Sequence, residues 1–315
     1  MFTLAHLSDP HLPMPQARVV DLLGKRATGY ANWWRSRVRL HRPEALAGLV
    51  ADIAAVRPDH IAVTGDLVNI SLPEEFERAA AWLASLGPSD RVTLVPGNHD
   101  VYVATRWGQG LGRWGAYIAS DGAPPAAGFE VFPTLRRRGP IALVGLNSGV
   151  PKPPFVATGT LGEAQIAAAE KMLAELGREG LCRVVLIHHP PLTTEKRFKR
   201  LTDAAAFQAM IRRVGCEIIL HGHNHRSEVA RIAGPPGAKA GPVPVVGVTS
   251  ASAAPASKYG RARYHLIRIE AQEGGWRIAV QLRALRPDGT GCEPDGRIVF
   301  ESGVTGQVGP LVQAA

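Results

Sequence analysis

The sequence predicts an α/β fold in which stacked β-sheets lie between outer helices. Over the first two thirds of the chain, short β-branched apolar runs alternate with segments of helical periodicity, and the last third consists mostly of strand-like runs. This order is typical of sheets that pack on each other with helices outside. No biased linker marks a second domain, so we expect one domain over residues 1–285 and a peripheral C-terminal extension over residues 286–315.

The individual elements are predicted from apolar periodicity and from the residues that begin and end helices. Strands are expected over residues 2–7, 59–63, 91–95, 141–146, 184–187, 217–220, 228–232, 243–248, 262–270 and 276–284. Helices are expected from Pro43 to Val56, from a Ser71 cap to Leu86, over residues 107–119 and 162–176, and from a Thr202 or Asp203 cap to Val214. Proline in the first turn and serine at the cap both favour a helix start.

The composition is that of a protein with a sizeable buried core. Of the 315 residues, 45% are hydrophobic and 20% are charged, which excludes wholesale disorder. No apolar run approaches the roughly 18 residues that cross a bilayer, and residues 1–7 resemble a first strand more than a signal peptide. Three widely spaced cysteines imply no disulfide framework. We therefore expect a protein of the reducing cytoplasm.

The basic residues are clustered, and the formal charge is +9. No acidic residue lies between Asp21 and Glu44, where six lysine and arginine residues fall, and smaller basic groups lie at residues 136–138 and 196–200. Such clusters favour an anionic partner such as a phosphate, a nucleotide or an anionic lipid, although a solvated surface explains any one cluster equally well. No base-reading module is visible, so nucleic acid is not an expected partner.

Five of the expected strands end in side chains that can bind a metal ion. Because the carboxyl ends of strands in open α/β sheets form sites, we expect these five strand ends to converge. Residues two apart in an extended segment point the same way, so each Asp-x-His or His-x-His pair can face one centre. The side chains are Asp9 and His11, Asp66, Asn98 and His99, His188, and His223 and His225.

Seven of these groups form a donor set for transition metals: two aspartates, one asparagine and four histidines. Oxygen and imidazole donors without cysteine suit Mn, Fe, Zn or Co and argue against a structural thiolate zinc site. Seven donors are too many for one ion but suit two ions if one carboxylate bridges them. Two ions about 3.5–4 Å apart act as a clamp for in-line displacement at phosphorus.

The motifs resemble, in their order along the chain, those of the calcineurin-like metallophosphoesterases. They are Asp9-Pro10-His11, Gly65-Asp66, Gly97-Asn98-His99-Asp100, His188-His189-Pro190 and Gly222-His223-Asn224-His225. The resemblance extends from residue 3 to about residue 225. It implies a four-layer αββα sandwich of two mixed β-sheets flanked by helices, with a site for two divalent or trivalent transition-metal ions whose identity is left open.

The resemblance also implies a role for each site residue. One metal ion would be bound by Asp9, His11 and His225, the other by Asn98, His188 and His223, and Asp66 would bridge them. A metal-bridging hydroxide would be the nucleophile, and His99 would protonate the leaving group or stabilise charge on the phosphoryl oxygens. Asp100 is expected to orient His99, and His189 to support the ligands from behind.

The remaining histidines are expected to lie outside the metal site. His6, His60 and His265 fall at or within predicted strands and are interpreted as packed residues, and His41 belongs to the basic segment. His221 precedes His223 by two residues, so either packing or a substrate contact is open to it.

The substrate stays open among three interpretations. The pattern is most similar to class III cyclic-nucleotide phosphodiesterases, which implies hydrolysis of phosphodiesters. Residues 17–42 form a basic insertion with Tyr30, Trp33 and Trp34, which could cap a bulky anionic substrate, contact an anionic membrane surface through residues 22–42, or serve structure alone. The first alternative is therefore a pyrophosphohydrolase of a UDP-linked or other lipid-linked substrate, of the UDP-2,3-diacylglucosamine type, peripheral at the membrane. The second is a non-catalytic scaffold of the same fold.

Overall fold

Twelve strands form two six-stranded sheets in a computed structural model that describes residues 1–302 except 38–39, 125–126, 193–195, 237–240, 256 and 258–259. The strands are β1 (Phe2–Leu7), β2 (His60–Val63), β3 (Val92–Leu94), β4 (Thr134–Arg138), β5 (Ile141–Gly145), β6 (Cys182–Leu186), β7 (Ile218–His221), β8 (Glu228–Ile232), β9 (Val243–Gly247), β10 (Arg263–Gln272), β11 (Gly275–Leu285) and β12 (Cys292–Ser302). The first sheet has the order β12-β11-β10-β1-β2-β3, and the second has the order β4-β5-β6-β7-β9-β8.

Each sheet contains a parallel set of strands that carries the site. In the first sheet β1, β2 and β3 are parallel, and in the second β5, β6, β7 and β9 are parallel. The strands β10–β12, β4 and β8 complete the sheets by antiparallel pairing. Both sheets are therefore mixed, as expected, and the predicted ligands follow β1, β2, β3, β6 and β7.

Four long helices pack on the two sheets, namely α2 (Pro43–Val56) and α3 (Pro73–Leu86) in the core of the first sheet and α5 (Glu163–Arg178) and α6 (Ala204–Val214) on the second. The described residues also form the helices α1 (Lys25–Asn32) and α4 (Gly115–Ile118), a π-helical turn over Trp33–Arg37 and 3₁₀ turns over Val19–Leu22, Trp107–Gln109, Leu111–Trp114, Phe129–Val131 and Arg197–Lys199. Among the described residues, no helix has both the length and the apolar character of a membrane span.

Alternation along β6 illustrates how the layers are built. Val184 and Leu186 join the large core that also contains residues of the first sheet, α2 and α3. Val185 and Ile187 point the other way and pack with the apolar faces of α5 and α6. Successive strand residues face opposite sides of a sheet, so each strand of this kind fills two cores. The structure confirms the four-layer αββα sandwich.

Local details of α3 differ from the prediction that Ser71 caps it. The helix begins at Pro73, and the Ser71 hydroxyl instead donates to the carbonyl of His99 at 2.8 Å. Glu75 performs the capping role, because its buried carboxylate accepts the backbone N–H groups of Asn69, Ile70 and Leu72 at 2.7–3.1 Å. A glutamate in the first turn is suited to such N–H groups.

Residues 102–140 also differ from their pattern. The helix expected over residues 107–119 breaks into two 3₁₀ turns and the single turn α4, because glycines at 108, 110 and 112 disfavour a regular helix. Strand β4 was not predicted, and its Arg136–Arg138 cluster serves structure. Arg136 is buried and donates to backbone carbonyls of Ala119 and Val92, while Arg137 pairs with Glu179.

The C-terminal segment contributes a strand to the first sheet. Residues 292–302 form β12 at its edge, paired antiparallel with β11. Part of the segment expected to be a peripheral extension is therefore continuous with the sheet of the domain. Pro294-Asp295-Gly296 within the strand and the glycines on either side of it obscured the alternation on which a strand prediction depends.

Candidate metal centre

The loops after the parallel strands turn sharply into the site. Five of the seven predicted ligands have positive φ angles: Asp9 (53°), His11 (38°), Asp66 (58°), His223 (69°) and His225 (53°). We expected the residue pairs two apart to face one centre from an extended backbone. The structure brings these side chains together through left-handed turns instead. Non-glycine residues rarely adopt this conformation, and such strain concentrates at functional sites.

One set of donors, which we name the second donor group, consists of Asn98, His188 and His223. The amide oxygen of Asn98 lies 3.2 Å from Nε2 of His188 and 2.9 Å from Nδ1 of His223. The two ring nitrogens are 3.3 Å apart. Three donor atoms this close can surround a single ion.

The hydrogen bonds behind these rings decide which nitrogen faces the centre. His188 donates through Nδ1 to the carbonyl of Thr64 at 2.7 Å, and His223 donates through Nε2 to the carbonyl of Lys199 at 2.9 Å. Ligating histidines normally donate their other N–H in this way. The lone pairs of His188 Nε2 and His223 Nδ1 are then directed at the site.

The first donor group consists of Asp9, His11 and His225. Nε2 of His225 lies 3.1 Å from Oδ1 of Asp9 and 3.4 Å from Nε2 of His11. Oδ1 of Asp9 is buried and makes no hydrogen bond within the described residues. A buried carboxylate oxygen in such a place calls for a cation, so this group also has the chemistry of a metal position.

Asp66 lies between the two donor groups. Its Oδ2 atom is 3.4 Å from Nε2 of His188 and 3.8 Å from Nε2 of His11. Burial opposes ionisation of Asp66, but His188, His99 and His11 together hold its pKa well below the usual range. Burial likewise opposes a proton on His188, yet the charge of Asp66 raises the pKa of His188 to about 9. A cation that binds here must displace that proton, since imidazole ligates in its neutral form.

The predicted catalytic residue His99 lies beside this centre. Its backbone N–H donates to Oδ1 of Asp66 at 2.7 Å, and its ring donates through Nδ1 to the carbonyl of Asn69 at 2.5 Å. The ring is stacked on Tyr102 at an interplanar angle of 7°. These contacts fix the ring plane and leave Nε2 as the nitrogen suited to act on a substrate.

We expected Asp100 to orient the ring of His99. Its carboxylate instead accepts hydrogen bonds from the backbone around Asp66. Oδ2 accepts the N–H groups of Asp66 and Gly97, both at 2.8 Å. Oδ1 accepts the N–H groups of Leu67 at 2.8 Å and Val68 at 3.2 Å. Burial and the nearby charge of Asp66 raise the pKa of Asp100 to about 7, and the N–H groups oppose that shift.

His189 lies against the second donor group. Its ring centroid is 4.4 Å from that of His223, and its Nδ1 is 2.8 Å from the hydroxyl of Ser148. Burial lowers the pKa of His189 to about 3, so the ring is neutral. His221 is buried at the end of β7, with Nδ1 3.1 Å from the carbonyl of Gly222, which favours the packing interpretation.

Three histidines interpreted as packed residues are buried in the sandwich. His6 contacts the hydroxyl of Thr64 at 2.9 Å and His60 that of Thr93 at 2.7 Å. His265 is also buried, and its ring centroid lies 5.8 Å from that of His6. These positions agree with the sequence interpretation.

His41 lies beside the first donor group, although no motif in the sequence indicates this position. Its ring centroid lies 4.4 Å from that of His11 and 5.5 Å from that of His225. It comes from the basic insertion, 30 positions after His11, and belongs to no motif. The one signal in the sequence is that His41 is a possible metal ligand in the segment that follows Asp9-Pro10-His11.

A cleft of about 220 Å³ opens beside the metal centre. Asn98 and His99 form part of its wall, and α1 forms another part. Cations and aromatic rings dominate the rest of the lining, namely Lys25, Lys152 and Lys199 with Trp33, Tyr102, Phe155 and Phe198.

The insertion is docked onto this cleft by its basic residues. Lys25 donates to the carbonyl of Tyr102 at 2.8 Å and lies 3.8 Å from the centre of the Tyr102 ring. Arg26 donates to the carbonyl of Ser71 at 2.6 Å. No residue of α1 is buried, and Trp34 is 68% exposed, so the aromatic residues do not cover a common apolar face. Val38, which follows these aromatic residues at helical spacing in the sequence, lies outside the described residues.

The fold and the convergent donors define a metal-dependent phosphoester hydrolase. A family model described as calcineurin-like phosphoesterase matches residues 2–227. The chain belongs to the calcineurin-like phosphoesterase family.

The chain is also similar to individual proteins, in sequence to the first of the following and in fold to the other two. The chain is 25% identical over 234 residues, which is 70% of each chain, to the glycerophosphodiester phosphodiesterase GpdQ of Enterobacter lignolyticus. Its fold is similar to that of a dimetal phosphatase from Danio rerio, with a TM-score of 0.60 at 13% identity, covering 96% of this chain and 99% of the other. A purple acid phosphatase from yellow lupin gives a TM-score of 0.55 at 14% identity, covering 95% of this chain and 53% of the other.

Proposed function

We propose that the protein is a phosphodiesterase whose site holds two transition-metal ions, one in each donor group. The observation that carries the proposal is the position of Asp66, whose Oδ2 atom lies 3.4 Å from His188 and 3.8 Å from His11. A carboxylate between two sets of oxygen and imidazole donors is suited to bridge two ions. Mn, Fe, Zn or Co all accept this donor set.

The bound ions would supply Lewis acidity and bring the pKa of water towards neutrality. The chain's own residues would complete the chemistry. His99, oriented by its Nδ1 bond to Asn69, would donate a proton through Nε2 to the oxygen of the departing alcohol. Asp100 would keep the turns around Asp66 and Gly97 in place through its backbone hydrogen bonds.

The cleft favours a small diester, with a cyclic nucleotide as the first candidate. Its volume of about 220 Å³ is below the roughly 300–1,000 Å³ of pockets that enclose drug-sized ligands. Three lysines would balance a phosphate anion, and the rings of Trp33 and Tyr102 offer faces for a planar base. Burial lowers the pKa of Lys25 to about 8, so this lysine is still mostly charged at neutral pH. Glycerophosphodiesters are small diesters too, and the similarity to GpdQ makes them the second class to assay.

A lipid-linked pyrophosphate is the alternative that a specific observation favours. Val20, Leu23 and Trp34 are 66–76% exposed on the basic insertion. Apolar side chains among cations suit an anionic membrane surface. The acyl chains of a UDP-linked lipid would then stay outside the cleft, against these side chains. A scaffold without activity is the remaining alternative, and it predicts that the protein binds no ions.

Metal analysis combined with a diesterase assay tests the proposal. We expect about two transition ions per chain and hydrolysis of bis-p-nitrophenyl phosphate with Mn²⁺. Protein that takes up no metal would favour the scaffold. Metal-loaded protein that has no turnover with any of Mn²⁺, Fe²⁺, Zn²⁺ and Co²⁺ would contradict the proposed phosphodiesterase.

A further inference from the structure

We propose that His41 is a further ligand of the metal ion held by the first donor group, a role that rests on the proposed dinuclear site. One ring nitrogen from each of His11, His41 and His225 lies within 4.8 Å of the other two. The basic insertion would then contribute to the metal centre itself as well as to the wall of the cleft.

The distances allow the three rings to bind one ion after a rotation of their side chains. Imidazole nitrogen binds a transition ion at about 2.1 Å, so two such nitrogens on one ion are at most about 4.2 Å apart. At neighbouring positions of a tetrahedral ion the two nitrogens are about 3.4 Å apart, so the observed upper limit of 4.8 Å requires each pair of rings to approach by up to about 1.4 Å. Rotation of a half-buried side chain can supply a shift of this size.

The hydrogen bond behind His41 has the pattern of a metal ligand. Its Nδ1 lies 2.8 Å from the hydroxyl of Ser252. If Nδ1 donates its proton there, the lone pair of Nε2 is left for the ion, as in histidines that ligate metals. The same arrangement holds for His188 and His223, whose rings each donate to a backbone carbonyl.

The backbone fixes His41 to the wall of the site. Arg42 donates its N–H to the carbonyl of Ser252 at 2.7 Å, and Leu40 accepts the N–H of Ala254 at 2.8 Å. The same loop is tied to the first donor group, because the Ser250 hydroxyl donates to the carbonyl of Asp9 at 2.7 Å. His41 is therefore placed by strand-like pairing and not by a free loop.

An additional imidazole would make the two metal positions unequal. With Asp66 shared, the second donor group offers four protein ligands, whereas the first would offer five. The ion in the first position would be held more tightly and would have fewer coordination sites for water or substrate.

Cobalt-loaded protein provides a test that does not depend on turnover. Each ligating imidazole keeps one exchangeable N–H, whose proton resonance the paramagnetic Co²⁺ shifts far from its normal range. We expect His41→Phe to lose one such resonance and to bind one of the two Co²⁺ ions at least about tenfold more weakly in calorimetric titration, since loss of a group that only supports a ligand already costs about 10–100-fold. His60→Gln, a control at the amino end of β2, should keep every resonance and both affinities.

Ser252→Ala keeps the proposal testable if His41→Phe does not fold. It should weaken the same ion and alter the His41 resonance. Unchanged resonances and affinities in a folded His41→Phe variant would overturn the proposal, and so would an effect confined to KM, which would make His41 a substrate contact. If the wild-type protein and Asp66→Ala bound cobalt identically, the dinuclear site itself would fail, and this inference with it.

Discussion

At the scale of residues, the site depends on pairs of contacts that give each side chain one orientation. His188 is held by the carbonyl of Thr64 behind it and faces Asp66 in front. His99 is held by the carbonyl of Asn69 and by the ring of Tyr102. The first arrangement directs a lone pair at an ion, and the second directs a nitrogen at a substrate, so substitutions of the two kinds should separate.

Alanine variants of Asp66 and His99 test this separation. Asp66→Ala removes the carboxylate between the donor groups, so we expect metal content and diesterase activity to disappear together. His99→Ala should keep two ions per chain and lose about 10²–10⁴-fold in kcat, the usual contribution of a positioned acid. Metal analysis and steady-state kinetics on the same samples check both. Loss of both ions from a folded His99→Ala variant would contradict the assignment of His99.

At the scale of elements, we propose that the basic insertion, residues 17–42, determines which substrates the site accepts. α1 contributes Lys25 to the cleft, and the π-helical turn that follows it contributes Trp33. Lys25 and Arg26 dock α1 on the carbonyls of Tyr102 and Ser71. None of its residues is buried, so its surface is available for recognition at little cost in stability.

Lys25→Ala and Trp33→Ala should therefore change specificity more than chemistry. We expect each to raise KM for a cyclic nucleotide about tenfold, which corresponds to about 1.4 kcal/mol, and to leave hydrolysis of bis-p-nitrophenyl phosphate within about twofold. Assays of cyclic nucleotides, glycerophosphodiesters and a UDP-linked lipid on the same variants identify the preferred class. Arg78→Ala, on the exposed face of α3, is a matched control. Equal losses on every substrate would mean that α1 has only a structural role.

A second prediction at this scale concerns the contact between α2 and the first sheet. Asp52 on α2 accepts the hydroxyl of Tyr264 at 2.6 Å and two bonds from Arg283, each at 2.7 Å. Burial alone would raise the pKa of Asp52, but Arg283 and Tyr264 lower it below the usual value. Asp52→Asn should therefore lower the free energy of unfolding by about 1.5–3 kcal/mol at pH 7.

The stabilisation from Asp52 should depend on pH in a definite direction, because folding lowers the pKa of its carboxylate. Because the folded-state pKa is depressed, the stabilisation is complete above the unfolded pKa and is lost as pH falls through the folded one. The difference between wild type and Asp52→Asn should be constant above about pH 5 and should shrink below about pH 4. Urea unfolding at several pH values checks it, with Glu74→Gln in an exposed pair as the control. A difference that grows towards low pH would contradict the account.

At the scale of the whole molecule, the layers of the sandwich and the set of metal-binding side chains could be predicted because both depend on short stretches of sequence. The spacing of apolar residues predicted which segments are strands and which are helices, and Pro43 correctly predicted the start of α2. The short motifs at strand ends gave the donors that meet around Asp66. The left-handed turns at Asp9 and His11 could not be predicted, because their strain is balanced only by the folded surroundings.

What the sequence could not indicate depends on contacts between distant segments. His41 meets His225 across 184 positions of chain, and nothing near either residue specifies that contact. Glu75 replaces Ser71 at the start of α3 because three N–H groups lie within its reach. The cleft likewise forms only where α1 contacts Tyr102. The sequence could suggest that the basic insertion covers a substrate, but it could not indicate which residues line the cleft.

Anomalous X-ray diffraction from crystals of the protein loaded with Mn²⁺ can locate both proposed ions at once. We expect two manganese peaks about 3.5–4 Å apart, one in each donor group, with the carboxylate of Asp66 between them. A single peak, or two peaks that do not share Asp66, would contradict the proposed dinuclear site.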